Sequence, residues 1–428
     1  MPGAWSTPWG RSVESGCAGP TFGDDRATAS ARWARSGLAL LTGGAAPALP
    51  ARDYAGRLEA LLAAARLAGA PELDMRLFTE RAAELGLTRQ GAVSANGAAR
   101  LLRTADGWAA VNLARPDDLD AVPAWIGCDI ADDPWTALTR AALLWKSSDL
   151  AEAGQELGIP VAAIGVRDDE QQRARGRVAG ARIVRLGQGR PGPIRRPLVI
   201  DLSALWAGPL CAHILALAGA RVVKVESVRR PDAARQGPAA FFDRLHAGHE
   251  SVALDFTQPQ GRAQLAHLIS RADVVVESSR PRALEQLGIG LEAAFEANPA
   301  LVWVSITAFG RTGPWRNRVG FGDDAAAAGG LLVWDAGQPM FVGDALADPI
   351  AGVTAATAAL EALANGGGVL ADVALREAAA FVAGADLICQ DERDAVAGEP
   401  LAPPAMRPVA GHAAPMGAHT AAVLAELA

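Results

Sequence analysis

The sequence predicts an α/β protein whose larger part is a doubly wound parallel sheet. From residue 198 onward, short apolar runs at 198–202, 274–277 and 301–306 alternate with helical runs such as 260–270. Apolar runs without polar alternation are typical of strands that are buried on both faces. Strands that alternate with helices favour parallel pairing, because each helix serves as the crossover between two strands.

The order of these patterns predicts five segments. Residues 1–30 are rich in turn-forming residues and are predicted to form an irregular arm. Residues 31–168 are predicted to form a smaller α+β domain, because helical runs precede a hairpin signal at Asp106-Gly107 and a strand-like run at 158–164. The remaining segments are a Gly-, Pro- and Arg-rich linker at 169–197, the large domain at 198–400, and a tail with a helix at 401–428.

Composition limits the function classes. The chain has 428 residues, of which 50% are hydrophobic, so it holds enough material for two or three domains. Its net charge of −7 argues against a nucleic-acid partner held by phosphate contacts. No run of about 18 uncharged apolar residues is present, which predicts no membrane span. The Gly-, Pro- and Ser-rich start lacks the apolar core of a signal peptide, so a cytoplasmic location is expected.

Neither the cysteines nor the histidines have the spacing of a metal site. The 4 cysteines are far apart and form no Cys-x-x-Cys pair, as expected for cytosolic thiols. Histidines of the second half lack partnered ligands and are predicted to be surface or helix residues; they are His213, His246, His249 and His267. No metal is therefore expected.

Three glycines, Gly187, Gly189 and Gly192, have the spacing of a dinucleotide-binding loop. Such a loop works only where it opens a helix whose N–H groups face the pyrophosphate. Prolines lie among and after these glycines and prevent a helix from starting there, so the stretch is predicted to be linker.

Polar and cationic residues follow the predicted strands, at the edge where parallel sheets bind ligands. The polar and cationic residues are Arg229, Arg230, Ser278, Ser279 and Arg280, and the loop after the first strand adds Leu205, Trp206 and Ala207 as candidate binding residues. The guanidinium group of an arginine can form two parallel hydrogen bonds to a phosphate. A charged turn is, however, more often a plain solvated loop. Together these loops predict a site for an elongated ligand that bears phosphates. The helical runs before residue 88 show no chemistry of this kind.

A second candidate site is the start of a small-residue helix at 343–363. Asp344 and Asp348 precede Pro349, and proline is best tolerated in a first helical turn. Asp348 is therefore predicted as the N-cap, where free N–H groups and the helix dipole keep a carboxylate ionised. Taken alone, the pattern fits either a plain cap or a functional carboxylate.

From residue 197 onward the chain contains six ordered blocks: PLVIDLSALWAGPLCAHILALAGARVVKVES, SVALDFTQPQGR, ADVVVESSRPRALEQLGI, NPALVWVSITAFGRTGPW, DDAAAAGGL and GDALADPIAGVTAATAAL. These blocks resemble the family III CoA-transferases, which include formyl-CoA transferase, the carnitine CoA-transferases and the 2-methylacyl-CoA racemases. The resemblance covers about residues 197–381 and implies a Rossmann-like large domain. Blocks similar to the family's small domain, RLLRTADGWAAVNLARPDD and ELGIPVAAIG, come first here, which implies a permuted order.

The resemblance implies an acyl-CoA:carboxylate CoA-transferase with Asp348 as its nucleophile. In this family an aspartate at that position attacks the acyl-CoA thioester and later carries CoA as an aspartyl thioester. Small residues at Ala347, Ala351 and Gly352 are then expected to leave room for pantetheine. Acyl-CoA and a carboxylic acid are the implied substrates, so coenzyme A is a substrate and no permanently bound cofactor is expected. The implied assembly is the family's interlaced homodimer.

Some positions depart from the family pattern. Racemases place a histidine at the position of Phe321, shortly before an aspartate in the block that here contains Asp323. The loss of that histidine disfavours proton exchange at the α-carbon, but a racemase-type isomerase stays an alternative. A non-catalytic CoA-binding protein is a second alternative, because several of the family's cations are replaced. Arg280 is retained, and Arg229 or Arg230 is expected to replace a lost arginine.

Overall fold

The structure is a computed structural model that describes residues 26–127, 133–165, 180–189, 196–384 and 400–427. Most of the predicted arm, Gly192 and much of the predicted linker lie outside the described residues.

The strands are β1 (Ala99–Arg103), β2 (Trp108–Asn112), β3 (Val161–Ile164), β4 (Ala181–Arg185), β5 (Leu198–Asp201), β6 (Arg221–Ser227), β7 (Glu250–Leu254), β8 (Val274–Glu277), β9 (Val302–Thr307), β10 (Leu332–Asp335), β11 (Gln338–Phe341) and β12 (Val369–Ala374). The α-helices are α1 (Arg26–Arg35), α2 (Tyr54–Leu67), α3 (Glu80–Leu85), α4 (Pro116–Asp120), α5 (Val122–Ile126), α6 (Pro134–Ala142), α7 (Ser147–Glu156), α8 (Ala207–Leu217), α9 (Ala239–His246), α10 (Pro259–Arg271), α11 (Pro281–Gln286), α12 (Leu291–Ala297), α13 (Gly322–Ala328), α14 (Ala347–Ala364), α15 (Leu375–Ala383) and α16 (Thr420–Leu427). Short 3-10 turns span Ala39–Leu41, Met75–Phe78 and Ala233–Gln236.

Seven strands form the main sheet, in the order β4-β12-β9-β8-β5-β6-β7. Every neighbouring pair is parallel except β4 with β12, which is antiparallel. The predicted α/β fold with a largely parallel sheet is therefore confirmed. The chain order reverses between β5 and β8, because β6 and β7 extend the sheet on one side of β5 while β8, β9 and β12 extend it on the other.

Part of the predicted linker is an edge strand of this sheet. β4 pairs with β12 in a register that sets Ala181 opposite Val373 and Arg185 opposite Val369. The prolines that exclude a helix lie further along, so they do not prevent a strand over these residues. Gly187 and Gly189 pack close to the backbones of Pro299 and Gly366, so they face protein and not a dinucleotide.

Helices cover both faces of the main sheet. On one face, α8, α14 and α15 share a hydrophobic core with α1 and α2, through side chains such as Trp33 and Leu58. On the other face, α10 and α12 share a second core with α16. Helices from the first hundred residues therefore pack directly on the large sheet, which brings α3 to the edge of the candidate site. The boundary of a separate small domain stays a prediction.

A three-stranded antiparallel sheet is formed by β1, β2 and β3. The hairpin predicted at Asp106-Gly107 is confirmed, since Arg103 pairs with Trp108 around it. One face of this sheet packs on α5, α6 and α7. The other face contacts α13 and the β10-β11 hairpin, which places the small sheet against the helix that carries Asp323.

The prediction of Asp348 as an N-cap is wrong by two residues. α14 begins at Ala347 with Leu346 as its N-cap, so Asp348 is the second helical residue. The helix starts early because the Asp348 N–H donates to the Ala345 carbonyl at 2.9 Å, around a left-handed Ala345 with φ 44°. The side chain of Asp348 therefore does not cap the helix and is available for another role.

The turn between α14 and β12 depends on three glycines with positive φ, Gly366, Gly367 and Gly368. A Cβ on Gly367 would overlap the Ala300 carbonyl oxygen, whereas a Cβ on Gly288, which has the same φ of 77°, would meet nothing within 4 Å.

We expect Gly367→Ala to destabilise the protein more than Gly288→Ala. Both substitutions force an L side chain into the left-handed region, at a cost of about 1–2 kcal/mol. Only Gly367→Ala adds the steric overlap with Ala300, which costs about 1–3 kcal/mol more. Denaturant titration of both variants measures the difference; equal losses of unfolding free energy would show that the turn can move away from Ala300.

Within the described residues, no helix combines the length and apolar character needed to cross a bilayer.

Candidate active site

Three aspartates converge at the start of α14. Asp344 lies in the turn before the helix, Asp348 in its first turn and Asp323 in the first turn of α13. The Ala345 N–H donates to Asp323 Oδ1 at 2.8 Å, which ties the two helix starts together. Asp344 and Asp323 are buried, whereas Asp348 is partly exposed. Asp348 is thus the member of this group that a ligand can reach.

Gly322 leaves the space beside the Asp348 carboxylate. A Cβ at this position would lie 2.5 Å from Asp348 Oδ2 and 2.7 Å from the Ala345 Cβ. Any side chain here would therefore displace Asp348. The lack of a side chain at Gly322 allows the two helix starts to approach closely.

Arg81 is the cation of this cluster. Its Nε and Nη2 donate to the two carboxylate oxygens of Asp344 at 2.8 and 2.5 Å. The Asp344 side chain is 1% exposed, so this bidentate pair is largely removed from water. The Arg81 guanidinium also lies 5.2 Å from the centre of the Trp206 ring, which supports it on a third side. The sequence before residue 88 gave no indication of this contact.

Asn96 completes the hydrogen bonding of the two buried carboxylates. Its Nδ2 donates to Asp323 Oδ2 at 2.8 Å and to Asp344 Oδ1 at 3.2 Å. Its Oδ1 accepts from the Ser94 hydroxyl at 2.9 Å and the Ala98 N–H at 2.8 Å, which fixes the orientation of the amide. No local pattern in the sequence distinguishes Asn96 from an ordinary turn residue.

Burial raises the pKa of Asp348 and Asp323, and the neighbouring carboxylates add to the rise. Burial raises the pKa of Asp348 to about 7, Arg81 opposes this rise, and the charges of Asp323 and Asp344 add to it. Burial, followed by the charge of Asp344, also raises the pKa of Asp323. Desolvation therefore opposes the helix start, which the sequence predicts to keep Asp348 ionised.

Asp324 lies behind the cluster and is fully buried. Its Oδ1 accepts from the Phe321 N–H at 2.9 Å and from Asn112 Nδ2 at 3.2 Å, while its Oδ2 lacks a hydrogen-bond partner among the described residues. Burial raises its pKa to about 8. The Asp324 side chain is therefore mostly protonated at pH 7, and its hydrogen bond from the Phe321 N–H stabilises the first turn of α13.

The loops that follow β5 and β8 lie at the point where the strand order reverses. The Ala204 N–H donates to the Ser278 hydroxyl at 3.1 Å, so these two loops are in contact. Buried Lys224 holds the first of them, donating to the Ser203 carbonyl at 3.0 Å and pairing with Asp232 at 3.0 Å. Such a reversal point is the usual ligand crevice of a doubly wound sheet.

The three predicted residues of the first loop differ in accessibility. Leu205 is 41% exposed and has a left-handed φ of 70°, whereas Trp206 and Ala207 are 3% and 6% exposed. Trp206 packs between Arg81 and Phe241, with a ring separation of 5.4 Å to Phe241. Contact of these residues with CoA stays a prediction, and the position of Trp206 gives it a packing role.

The small residues of α14 do not form open space. Ala347 and Ala351 are fully buried, and a Cβ on Gly352 would lie 2.8 Å from the Ala207 carbonyl oxygen. They permit close packing of α14 on α8, so the expectation that they accommodate pantetheine is wrong.

Several predicted polar contacts are occupied within the chain. Arg229 pairs with Asp255 at 3.5 Å, and the Ser279 N–H and hydroxyl both donate to Glu277 Oε2 at 2.9 Å. The ring of Phe321 lies 5.7 Å from the Arg115 guanidinium. A ligand role for these residues stays a prediction.

Arginines from both halves of the chain gather near Arg280. Partial burial, followed by the charges of Arg282, Arg115 and Arg230, lowers the pKa of Arg280. Arg115 is paired with Asp118 at 2.5 Å, whereas Arg230, Arg280 and Arg282 have no acidic partner within ion-pair distance among the described residues. Arginines that repel one another in this way form a suitable site for an anion such as a phosphate. The sequence did not indicate Arg115.

Three histidines lie together, of which His246 and His249 are buried and His213 is partly exposed. The ring centroids of His213 and His249 are 6.3 Å apart and those of His246 and His249 5.6 Å apart. Burial lowers the pKa of all three, so they are neutral. His213 and His246 lie in helices, which agrees with the prediction of surface or helix positions, whereas His249 is buried outside a helix, so the prediction is wrong for it. Across the described residues, no group of three or more histidine, cysteine or acidic side chains is arranged to hold a metal ion.

Comparison with known proteins identifies the family. The family model described as CoA-transferase family III matches residues 197–422, which is more than half of the chain. The chain belongs to CoA-transferase family III. The matched residues include the main sheet from β5 onward, the acidic residues at α13 and α14, and the arginines at β6 and α11, whereas Arg81, Asn96 and Arg115 precede them.

Relatives in this family include transferases and a racemase. Succinyl-CoA–D-citramalate CoA-transferase of Chloroflexus aurantiacus is 33% identical over 201 residues, 44% of this chain and 50% of that protein. Succinate–glutarate CoA-transferase of Agrobacterium fabrum is 34% identical over 206 residues, 44% and 52% of the two chains. Human alpha-methylacyl-CoA racemase is 37% identical over 134 residues, 31% and 33% of the two chains. The chain thus spans about half the length, or less, of these relatives.

Proposed function

We propose that this family III chain is an acyl-CoA:carboxylate CoA-transferase that works through covalent intermediates on Asp348. The observation that carries the proposal is the accessibility of one carboxylate, Asp348, in a cluster whose other carboxylates are buried and hydrogen-bonded. A nucleophile must reach its substrate, and among these acids Asp348 is the one that can.

The proposed reaction is balanced without an added proton. An Asp348 carboxylate oxygen attacks the thioester carbonyl of acyl-CoA, the C–S bond breaks, and a mixed anhydride and CoA thiolate form. The thiolate then attacks Cγ of Asp348, releasing the first carboxylate and leaving an aspartyl-CoA thioester. The acceptor carboxylate attacks that thioester to form a second anhydride, and the released thiolate attacks the acceptor's carbonyl to give the new acyl-CoA and free Asp348.

The arginines near Arg280 support a phosphate-bearing substrate. Arg282 and Arg230 repel Arg280, and Arg115 from the N-terminal half adds to this repulsion although it is paired with Asp118. The phosphates of CoA offer compensating charges to such a group. The contact between the loops after β5 and β8 supports placing the ligand at the sheet's reversal point.

The two alternatives are less well supported. Racemisation requires a group that exchanges a proton at the α-carbon, and Phe321 has no ionisable atom. Asp323 already accepts hydrogen bonds from Asn96 and the Ala345 N–H, which commits both of its oxygens. A purely CoA-binding role does not explain why an accessible carboxylate lies among buried charges. We further propose a cytoplasmic homodimer, as the family resemblance implies.

Trapping of the intermediates tests this function. The protein is incubated with a panel of acyl-CoAs and quenched with hydroxylamine, which converts either the anhydride or the thioester on Asp348 to a hydroxamate. Mass spectrometry of the peptide that contains Asp348 is expected to detect this hydroxamate in the wild type and not in Asp348→Asn. Equal labelling of the variant would overturn the proposal, and solvent deuterium entering 2-methylacyl-CoA without an acceptor acid would indicate a racemase instead.

A further inference from the structure

Arg81 is held in one orientation by two residues, Asp344 and Trp206. Both donors of its fork bind Asp344, at 2.8 and 2.5 Å, and the guanidinium lies 5.2 Å from the Trp206 ring centre. Its side chain is 24% exposed, whereas that of Asp344 is 1% exposed. The charge of Arg81 is therefore fixed at the inner side of the acidic cluster and does not sample solvent freely.

The helix that carries Arg81 is itself anchored at both ends. Glu80 accepts from Arg407 at 2.7 and 2.8 Å, and the Thr79 hydroxyl donates to the Ala405 carbonyl at 2.8 Å. At the other end, Glu84 accepts from Arg244 at 2.8 Å. These contacts position α3, which is too short to be stable alone.

The charged groups that face Asp348 come from three elements. They are Arg81 from α3, Asp344 from the turn before α14 and Asp323 from α13. Arg81 is the one cation of this set, and it faces three carboxylates. Asn96 and the Ala345 N–H supply neutral donors to two of these carboxylates and no charge. The net charge around Asp348 therefore depends on the presence of Arg81 and on the number of ionised neighbours.

We propose that Arg81 is a positioning residue for Asp348 and that Asp344 is the opposing charge that limits its effect. This inference rests on the proposed function, because it assigns Arg81 and Asp344 to the preparation of the same nucleophile. Arg81 stabilises the carboxylate form of Asp348 that attacks the thioester. Asp344 holds the guanidinium in place and, by its own negative charge, weakens that stabilisation.

Two substitutions have opposite expected effects, because each removes one side of this balance. In Arg81→Gln, Asp348 loses its cation, and the pH at which it ionises rises by about one unit from a wild-type pKa of about 7. In Asp344→Asn, one negative neighbour is removed while an amide oxygen still accepts from Arg81, and that pH falls by about one unit. A purely structural role would alter stability in both variants without moving the titration in opposite directions.

The experiment follows the ionisation of Asp348 in two ways, one that depends on its covalent reaction and one that does not. The pH dependence of hydroxamate formation on Asp348 is measured for the wild type, Arg81→Gln, Arg81→Lys and Asp344→Asn. In parallel, carboxyl NMR of 13C-aspartate-labelled protein follows the Asp348 signal, which is assigned by its absence from Asp348→Asn. Arg81→Lys restores the charge and is expected to return the titration towards the wild type. Arg76→Gln is the matched control, because Arg76 forms an exposed pair with Asp74 and should leave both profiles unchanged.

The two readouts separate the possible failures. If the titration midpoint of Asp348 moves in opposite directions in Arg81→Gln and Asp344→Asn, the role of Arg81 is supported even when no hydroxamate forms. In that case only the proposed function fails. If hydroxamate forms but the titration midpoint of Asp348 is unchanged, or moves in the same direction in Arg81→Gln and Asp344→Asn, the role of Arg81 is overturned and the proposed function is left intact. If Arg81→Gln does not fold, Asp344→Asn still decides, because a titration that rises or stays unchanged in that variant overturns the inference.

Discussion

Replacement of Asp348 by asparagine is expected to abolish CoA transfer while leaving the fold intact. The amide has the shape of the carboxylate but cannot form the anhydride, so the transfer rate should fall at least about 10³-fold. Steady-state assays with an acyl-CoA donor and a carboxylate acceptor measure the loss. Asp348→Ala guards against slow hydrolysis of the asparagine back to aspartate, and exposed Asp335→Asn is the matched control that should retain full activity.

The stability of the Asp348→Asn variant distinguishes lost chemistry from lost structure. Because the folded-state pKa of about 7 lies above the ordinary value of 3.8, the contribution of Asp348 to stability is most favourable at low pH and is lost as the pH rises through about 7. The asparagine variant should therefore be at least as stable as the wild type at pH 8. Activity that persists in this variant would mean that another group forms the covalent bond.

Replacement of Lys224 by methionine is expected to have the largest effect on stability. Lys224 is 1% exposed and lies 3.0 Å from Asp232 and 3.8 Å from Asp201, which are also buried. Without the ammonium group, two buried carboxylates lose their counter-charge, a change that costs about 3–5 kcal/mol. Denaturant titration measures the loss of unfolding free energy.

Two comparisons test the electrostatic cause of that loss. Asp232→Asn in the Lys224→Met background removes one uncompensated carboxylate and should recover part of the lost stability. Arg229→Met breaks the exposed pair with Asp255 and should change stability within the error of the measurement. Equal losses in Lys224→Met and Arg229→Met would contradict the proposed burial effect.

The main sheet was predictable because its signal is local. The predicted apolar runs at 198–202, 274–277 and 301–306 agree with β5, β8 and β9 to within one residue. β4 was missed because Ala181–Arg185 alternates basic and apolar residues at an edge and is followed by prolines. The start of α14 was predicted two residues too late, because the left-handed Ala345 allows the helix to begin before the expected cap.

The acidic half of the candidate site was predictable, and its cation was not. Asp348 and Asp323 lie in blocks that resemble a known family, so their spacing indicates a role. Arg81 and Asn96 lie in stretches without a motif, 263 and 248 residues before the Asp344 that they contact. Their role arises only when α2 and α3 pack on the face of the sheet that carries α14. A single sequence contains no hydrophobic periodicity or motif that predicts a contact between residues so far apart in the chain.

The distance along the chain between Arg81 and Asp344 has a consequence for how this site folds. Contacts between residues so far apart form after local ones, because closing a long loop costs entropy before any contact compensates for it. The hydroxyl of Tyr54 likewise donates to the Leu332 carbonyl across 278 residues. We therefore expect the parallel sheet and α14 to assemble before α3 docks, so the acidic cluster acquires its cation in a late step of folding.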